Sequence, residues 1–220
     1  MSSPGFDLCR PHTSFGLRRS VVVLLALAGL MGGASCSLSV KPIRMPTISR
    51  PADNPPTVRA FLKDCEQLAR SGMNYRFGGE SPEEGGFDCS GTIHYLLQRQ
   101  GYRHLPRQAN HFYQWLDQAD TLVKTSGRDP ESVYRKLHAG DLLFWKGTYK
   151  TRRRPNVTHV MIYMGYDHQK GEHVMFGARG TKANGRNGNG VDLHKFTLGQ
   201  GRGKFVGYGA IPGMVRMQRK

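Results

Sequence analysis

An α+β fold, with N-terminal helices packed on a mostly antiparallel sheet, is what this sequence predicts. Three observations carry that reading. Apolar residues recur at helical spacing in the first half of the chain, at Phe61, Leu62, Cys65, Leu68 and Ala69 and again at Ile93, Leu96 and Leu97. Short apolar runs bounded by Gly, Asn and Asp fill the second half, from Asp141 onward. The two kinds of segment are segregated rather than alternating, which argues against a βαβ sheet. A length of 220 residues with 38% hydrophobic content fits one ordinary domain plus a tail.

Residues 1–36 read as a targeting segment. Arg10, Arg18 and Arg19 precede an apolar run from Val21 to Met31, too short to span a bilayer about 30 Å thick. Gly33-Ala34-Ser35-Cys36 follows. Small residues before a cysteine resemble a bacterial lipobox, in which Cys36 is lipidated and becomes the mature N-terminus, although Gly33 stands where such boxes usually carry leucine. The alternatives are an ordinary signal peptide cut nearby, or a start codon assigned too early. Either kind of signal implies export, and the lipobox implies a cell-envelope protein (periplasm or outer membrane) held to a membrane by lipid. Residues 37–56 are rich in Pro and Ser, as at Lys41-Pro42, Arg50-Pro51 and Pro55-Pro56, and read as an extended tether.

The domain itself is expected over 57–213, with a basic tail at 214–220. Thr57 to Ser71 is predicted helical, with Thr57 as N-cap and Gly72 past its end. Cys65 lies on the apolar face of that helix and reads as a core residue. Gly85-Gly86-Phe87-Asp88 then forms a turn, and Asp88 is a good N-cap for a second helix closed by Gly101. A third helical stretch begins at Leu105-Pro106-Arg107, and Pro130 opens a short fourth helix. Strands are predicted over 141–145, 159–164, 173–176, 191–196 and 205–210. Residues 179–190 carry glycines at a density that cannot pack a core, and read as a mobile loop.

Cys89 falls in the first turn of its helix, where the dipole and free backbone amides favour a thiolate. Read locally, it is as readily a small buried hydrophobe as a nucleophile. The strand His159-Val160-Met161-Ile162-Tyr163-Met164 begins with a histidine, and an early Cys with a distant downstream His is the order of nucleophile and base in papain-like enzymes. At this point the chain resembles a known family. Asn74-Tyr75-Arg76-Phe77-Gly78-Gly79, Asp88-Cys89-Ser90-Gly91, Leu105-Pro106-Arg107, Gly140-Asp141-Leu142-Leu143-Phe144 and the His159 strand look like successive motifs of the NlpC family, from about Val58 to Pro212. These are papain-like cysteine peptidases that cut peptidoglycan stem peptides.

The resemblance implies a site. Cys89 attacks the carbonyl and His159 moves the proton. Tyr75 and the Cys89 amide are candidate oxyanion donors. Asp88, Ser90 and Arg107 are candidate substrate contacts, with Arg107 suited to a carboxylate. The family orients its histidine with a polar residue on the next strand, and that position falls at or beside Gly177, which has no side chain. Alternation along the strand makes His173 the nearest polar residue on that face. Asn184, Asn187 and Asn189 are further candidates, and a backbone carbonyl or water is another.

The charge balance, 32 Lys and Arg against 16 Asp and Glu, implies an anionic partner nearby: cell wall or lipid headgroups. Without a helix-turn-helix, zinc-finger or RNA-binding signature, nucleic acid is not expected. Arg152, Arg153 and Arg154 lead into His159, and Arg179, Lys182, Arg186, Arg202 and Lys204 flank the later strands. If the strands pair in sequence order, several of these charges share one end of the sheet. No cofactor or metal is implied, and the sequence names no protein partner. The reading is a cysteine endopeptidase that hydrolyses the bond between D-glutamate and the diamino acid of stem peptides. Its alternatives are a non-catalytic wall-binding module that kept the fold, favoured by the missing third residue, and an amidase or acyltransferase relative.

Overall fold

The structure is a computed structural model and describes residues 54–214, apart from 127 and 181. The expected leader, Cys36, nearly all of the tether and the tail beyond 214 lie outside the described residues. The first helix, α1, covers Pro56–Arg70. It starts one residue before Thr57, with Pro55 as N-cap and no side-chain cap. Pro56 takes the first helical position, where a fixed φ and a missing N–H carry no cost. Its buried face is Val58, Phe61, Leu62, Cys65, Leu68 and Ala69, the face the spacing predicts.

A two-stranded ribbon follows, β1 (Glu80–Ser81) paired with β2 (Gly86–Phe87). Strands of two residues carry no period, so the sequence reads only a turn there. The second helix, α2, runs over Cys89–Arg99, and α3 over Ala109–Gln118. The third helix starts four residues after Leu105, with Gln108 extended (φ −111°, ψ 149°) as its N-cap; Pro106 accounts only for Leu105 staying out of the helix. Next come β3 (Leu122–Lys124), a strand absent from the sequence reading, and α4 (Pro130–Lys136).

Five strands complete the domain: β4 (Leu142–Lys146), β5 (His159–Asp167), β6 (Glu172–Ala178), β7 (Val191–Lys195) and β8 (Lys204–Gly209). With β3 they make one six-stranded sheet in the order β3-β8-β4-β5-β6-β7, antiparallel at every pairing. The order departs from strict sequence pairing. The last strand returns to the middle of the sheet and lies beside β4, not β7. A strand with two apolar faces needs cover on both sides. One face, with Phe144, Val160, Ile162, Val174 and Phe176, packs under α1, α2 and α3. The other, with Leu143, Trp145, Met161, Tyr163 and Phe205, packs with Val133 and Leu137 at α4.

Residues 179–190 are the clearest reversal. The segment is tied down rather than loose. Arg186 donates to Asp167 Oδ2 (3.0 Å) and Glu172 Oε1 (2.5 Å), and Asp167 is fully buried. Asn187 Nδ2 donates to the Ala69 carbonyl (2.9 Å), and the Asn187 amide donates to Asp192 Oδ2 (2.6 Å). Gly190 lies so close to Tyr75 that a Cβ there would stand 2.7 Å from the Tyr75 nitrogen. The glycines let backbone meet backbone, and polar side chains, not apolar ones, hold the segment.

Candidate active site

The site is built at the start of α2. Asp88 is extended (φ −89°, ψ 177°) and its Oδ1 accepts the Gly91 amide at 2.6 Å, capping the helix as predicted. Its Oδ2 accepts the Gly78 amide at 3.1 Å, which pins the 74–79 segment to the same turn. Arg107 clamps this arrangement from outside. Its Nη1 donates to Asp88 Oδ1 (3.1 Å) and Ser90 Oγ (3.2 Å), its Nη2 to the carbonyls of Gly78 (2.7 Å) and Gly79 (3.2 Å), and its Nε pairs with Glu80. Asp88, Ser90 and Arg107 thus line the cavity, but their polar atoms bond one another. They hold the turn that presents Cys89.

Cys89 is the first residue of α2 and is 9% exposed. His159 opens β5, with its ring centroid 5.7 Å from that of Trp145. Just before it, the Thr158 amide donates to the Trp145 carbonyl (2.9 Å), while Thr158 Oγ1 accepts the Thr148 amide (3.0 Å), so the entry to the strand is fixed. Cys89, His159 and Tyr75 line one cavity of about 790 Å³. Tyr75 is half-buried and is bridged to Phe87. Burial first, then the nearness of Cys89 and Asp88, push its hydroxyl up to about 12, so it stays a hydrogen-bond donor at neutral pH.

The electrostatics differ from the expected low-pKa thiolate. Burial and then Asp88 push the Cys89 thiol up to about 12, against the pull of backbone groups at Val160, Ser90 and Cys89 itself. Burial pushes His159 down to about 3, helped by the charges of Arg179 and His194 and opposed by Asp88. Taken singly, both groups rest neutral. The neutral imidazole has a ring nitrogen free to take the thiol proton, but burial makes that transfer uphill, and it is offset only as each charge becomes the other's counterion.

The third position carries no side chain. Gly177 sits inside β6 at φ +150°, and a Cβ there would stand 2.9 Å from Met161 Sδ. No side chain orients His159 from that position. His173 is engaged elsewhere. Its Nδ1 bonds the Tyr163 hydroxyl (2.7 Å), its ring stacks on Tyr134 at 3.9 Å, and it does not line the cavity. Nor are Asn184, Asn187 and Asn189 cavity-lining residues. The polar residue that sequence reasoning missed is His194 on β7, whose Nε2 lies 3.3 Å from the Gly177 carbonyl. Alternation in Val191-Asp192-Leu193-His194 gives its face, but only the β6–β7 register brings it beside Gly177.

The charged rim is also redistributed. Arg153, Arg179, Lys182 and Arg202 line the cavity with Arg107, and among the described residues Asp88 is the one carboxylate that lines it. Arg152, Arg154 and Lys204 are exposed but do not line it, and Arg186 belongs to the half-buried ion pairs with Asp167 and Glu172.

A helix that begins with a cysteine, set against an antiparallel sheet with a histidine at the start of one strand, defines a papain-like fold. The profile of the NlpC/P60 family matches residues 72–199, more than half of the chain, and the chain belongs to that family. It is 34% identical over 100 residues to the bifunctional muramidase/DL-endopeptidase CwlT of Bacillus subtilis (strain 168), covering 46% of this chain and 25% of that protein. It is 35% identical over 98 residues to murein DD-endopeptidase MepH of Escherichia coli (strain K12), covering 44% and 30%. It is 39% identical over 94 residues to gamma-DL-glutamyl hydrolase of Bacillus subtilis (strain 168), covering 43% and 19%. The matched stretch therefore spans less than a third of each of these relatives. Among solved structures, an NLP/P60-family, lipoprotein-like protein of Staphylococcus aureus Mu50 aligns with a TM-score of 0.43 at 26% identity, over 71% of this chain and 40% of that one.

Proposed function

We propose that this protein is a cysteine endopeptidase that hydrolyses peptidoglycan stem peptides at the bond between D-glutamate and the diamino acid, from an exported, lipid-anchored position in the cell envelope. The observation that carries the activity is the placement of Cys89, at a helix N-terminus, in one cavity with neutral His159 and the hydroxyl of Tyr75. The relatives named as a DL-endopeptidase and as a gamma-DL-glutamyl hydrolase support the choice of bond, while the one named as a DD-endopeptidase supports only cleavage of the peptide part of the wall. The segment ending in Cys36 supports the anchor.

The chemistry follows from the geometry. Cys89 Sγ attacks the scissile carbonyl while its proton passes to His159. The oxyanion is met by the Cys89 amide and the Tyr75 hydroxyl. His159 returns the proton to the leaving amine, which leaves an acyl-enzyme. Water, deprotonated by His159, then releases the glutamyl carboxylate and restores the thiol. The vacancy at Gly177 favours one second reading, a wall-binding module without turnover.

Digestion of purified muropeptides by the native protein, followed by mass analysis, separates the two. Native protein yields products cut after D-glutamate, and Cys89→Ser yields none while staying folded. Cleavage by the serine variant near the native rate would remove Cys89 from its role. Binding without products from the native protein would establish the second reading.

A further inference from the structure

Arg179 follows directly on β6, and continuing the β5–β6 register past Ile162–Phe176 sets it across from His159. Its backbone is fixed, since its amide donates to the Gly190 carbonyl at 2.8 Å and Gly190 packs on Tyr75. Its side chain is half-buried and lines the cavity. Yet no carboxylate among the described residues pairs with it. The acids around the loop and the nucleophile are committed elsewhere. Asp88 is held by Arg107, Asp167 and Glu172 by Arg186, and Asp192 by the amides of Asn187 and Leu193. Arg107, in the same cavity, shows what a satisfied guanidinium looks like in this fold. A half-enclosed guanidinium with no partner has lost part of its hydration and gained nothing in return. Burial accordingly makes its charged form less favourable than in water.

We propose that Arg179 is a specificity-determining residue that binds a free substrate carboxylate beside the scissile carbonyl, with Lys182 and Arg202 adding to the field, so that the site selects acidic over amidated substrates. This rests on the reading above. In a γ-glutamyl link the side-chain carbonyl is cut and the α-carboxylate stays free, separated from that carbonyl only by the α, β and γ carbons. With the carbonyl at Cys89 and His159, this carboxylate reaches the wall that Arg179 forms. A guanidinium fork matches a carboxylate bidentately, whereas a carboxamide brings no charge and turns one N–H₂ group toward a donor-only partner. Arg179 therefore discriminates both by attraction to the acid and by mismatch with the amide.

The test uses two synthetic tripeptides, L-alanyl-γ-D-glutamyl-diaminopimelate with a free α-carboxylate and the same peptide as its α-carboxamide. Native protein is expected to favour the acid by about 30- to 100-fold in kcat/KM, the scale of one charge-assisted contact. Arg179→Gln should shrink the preference to about threefold, mainly through KM, while Arg179→Lys keeps part of it. Lys170→Gln, the same charge change in the exposed β5–β6 turn, should leave it intact. The denaturation midpoint of Arg179→Gln should hold or rise, which a structural role for the arginine would not allow. Calorimetry in a Cys89→Ala background reads the same preference as binding, independently of turnover. Equal native cleavage or equal binding of the two peptides, or an undiminished preference in Arg179→Gln, would overturn the inference. Cleavage of neither peptide, with the acid still bound selectively through Arg179, would overturn the peptidase reading and leave the carboxylate site standing.

Discussion

Replacing Arg107 tests whether it is a clamp or a substrate ligand. In Arg107→Ala the Gly78 and Gly79 carbonyls lose their 2.7 and 3.2 Å donors, and Asp88 and Glu80 lose an ion pair. Asp88 keeps the amides of Gly91 and Gly78. The pair is intermediate in burial, with side chains 29% and 14% exposed for Arg107 and Asp88. Breaking a fully buried pair costs about 3–5 kcal/mol and an exposed one about 0–1 kcal/mol. The Arg107→Ala loss should therefore fall at about 2–3 kcal/mol. For a domain of this size that corresponds to a drop of roughly 4–12 °C in Tm. Urea denaturation should show a lower midpoint with an unchanged slope. Arg107→Lys should recover less than half, because an ammonium cannot span carboxylate and carbonyls at once. Turnover should fall with stability, since the Cys89 turn loosens. A loss below about 0.5 kcal/mol accompanied by a raised KM would refute the clamp and return Arg107 to substrate binding.

The other expected outcomes follow from charge and packing. His159 and His194 are held down to about 3 and about 4, chiefly by burial. The unfolded chain binds their protons first, so stability is full above about pH 6.5 and falls as pH drops toward 4, at up to about 1.4 kcal/mol per pH unit for each group. His194→Gln should flatten that acid limb in urea titrations, and an unchanged limb would show that His194 is already solvated. Gly190→Ala drives a methyl into the Tyr75 backbone, so activity should fall at least tenfold and the Tm should drop; a neutral effect would mean the 179–190 segment moves freely. Cleavage of intact sacculi should fall more steeply with salt than cleavage of a soluble stem peptide, through charges screened beyond about 8 Å. Arg152, Arg153 and Arg154 changed together to Gln should remove most of that difference, and an unaltered salt slope would assign docking to another surface.

By itself the sequence determined the elements whose signal is local. The buried face of α1, the Asp88 cap, the placement of Cys89 at a helix start and His159 at a strand start all follow from spacing and capping chemistry within a few residues. Contacts between residues distant in sequence were decided only by tertiary structure. The return of β8 to the side of β4, the reach of Arg107 back to Gly78 and the anchoring of Asn187 to Ala69 join segments with no local periodicity to advertise them. The same holds for the protonation of the site. A helix N-terminus favours a thiolate, but burial against the sheet works the other way, pushing the Cys89 thiol up to about 12 and His159 down to about 3 when each is taken singly. Position 177 shows both limits at once. Its lack of a side chain is plain in the sequence, while the nearness of His194 and the placing of Arg179 across from His159 depend on the register of three strands, which no single stretch of the chain encodes.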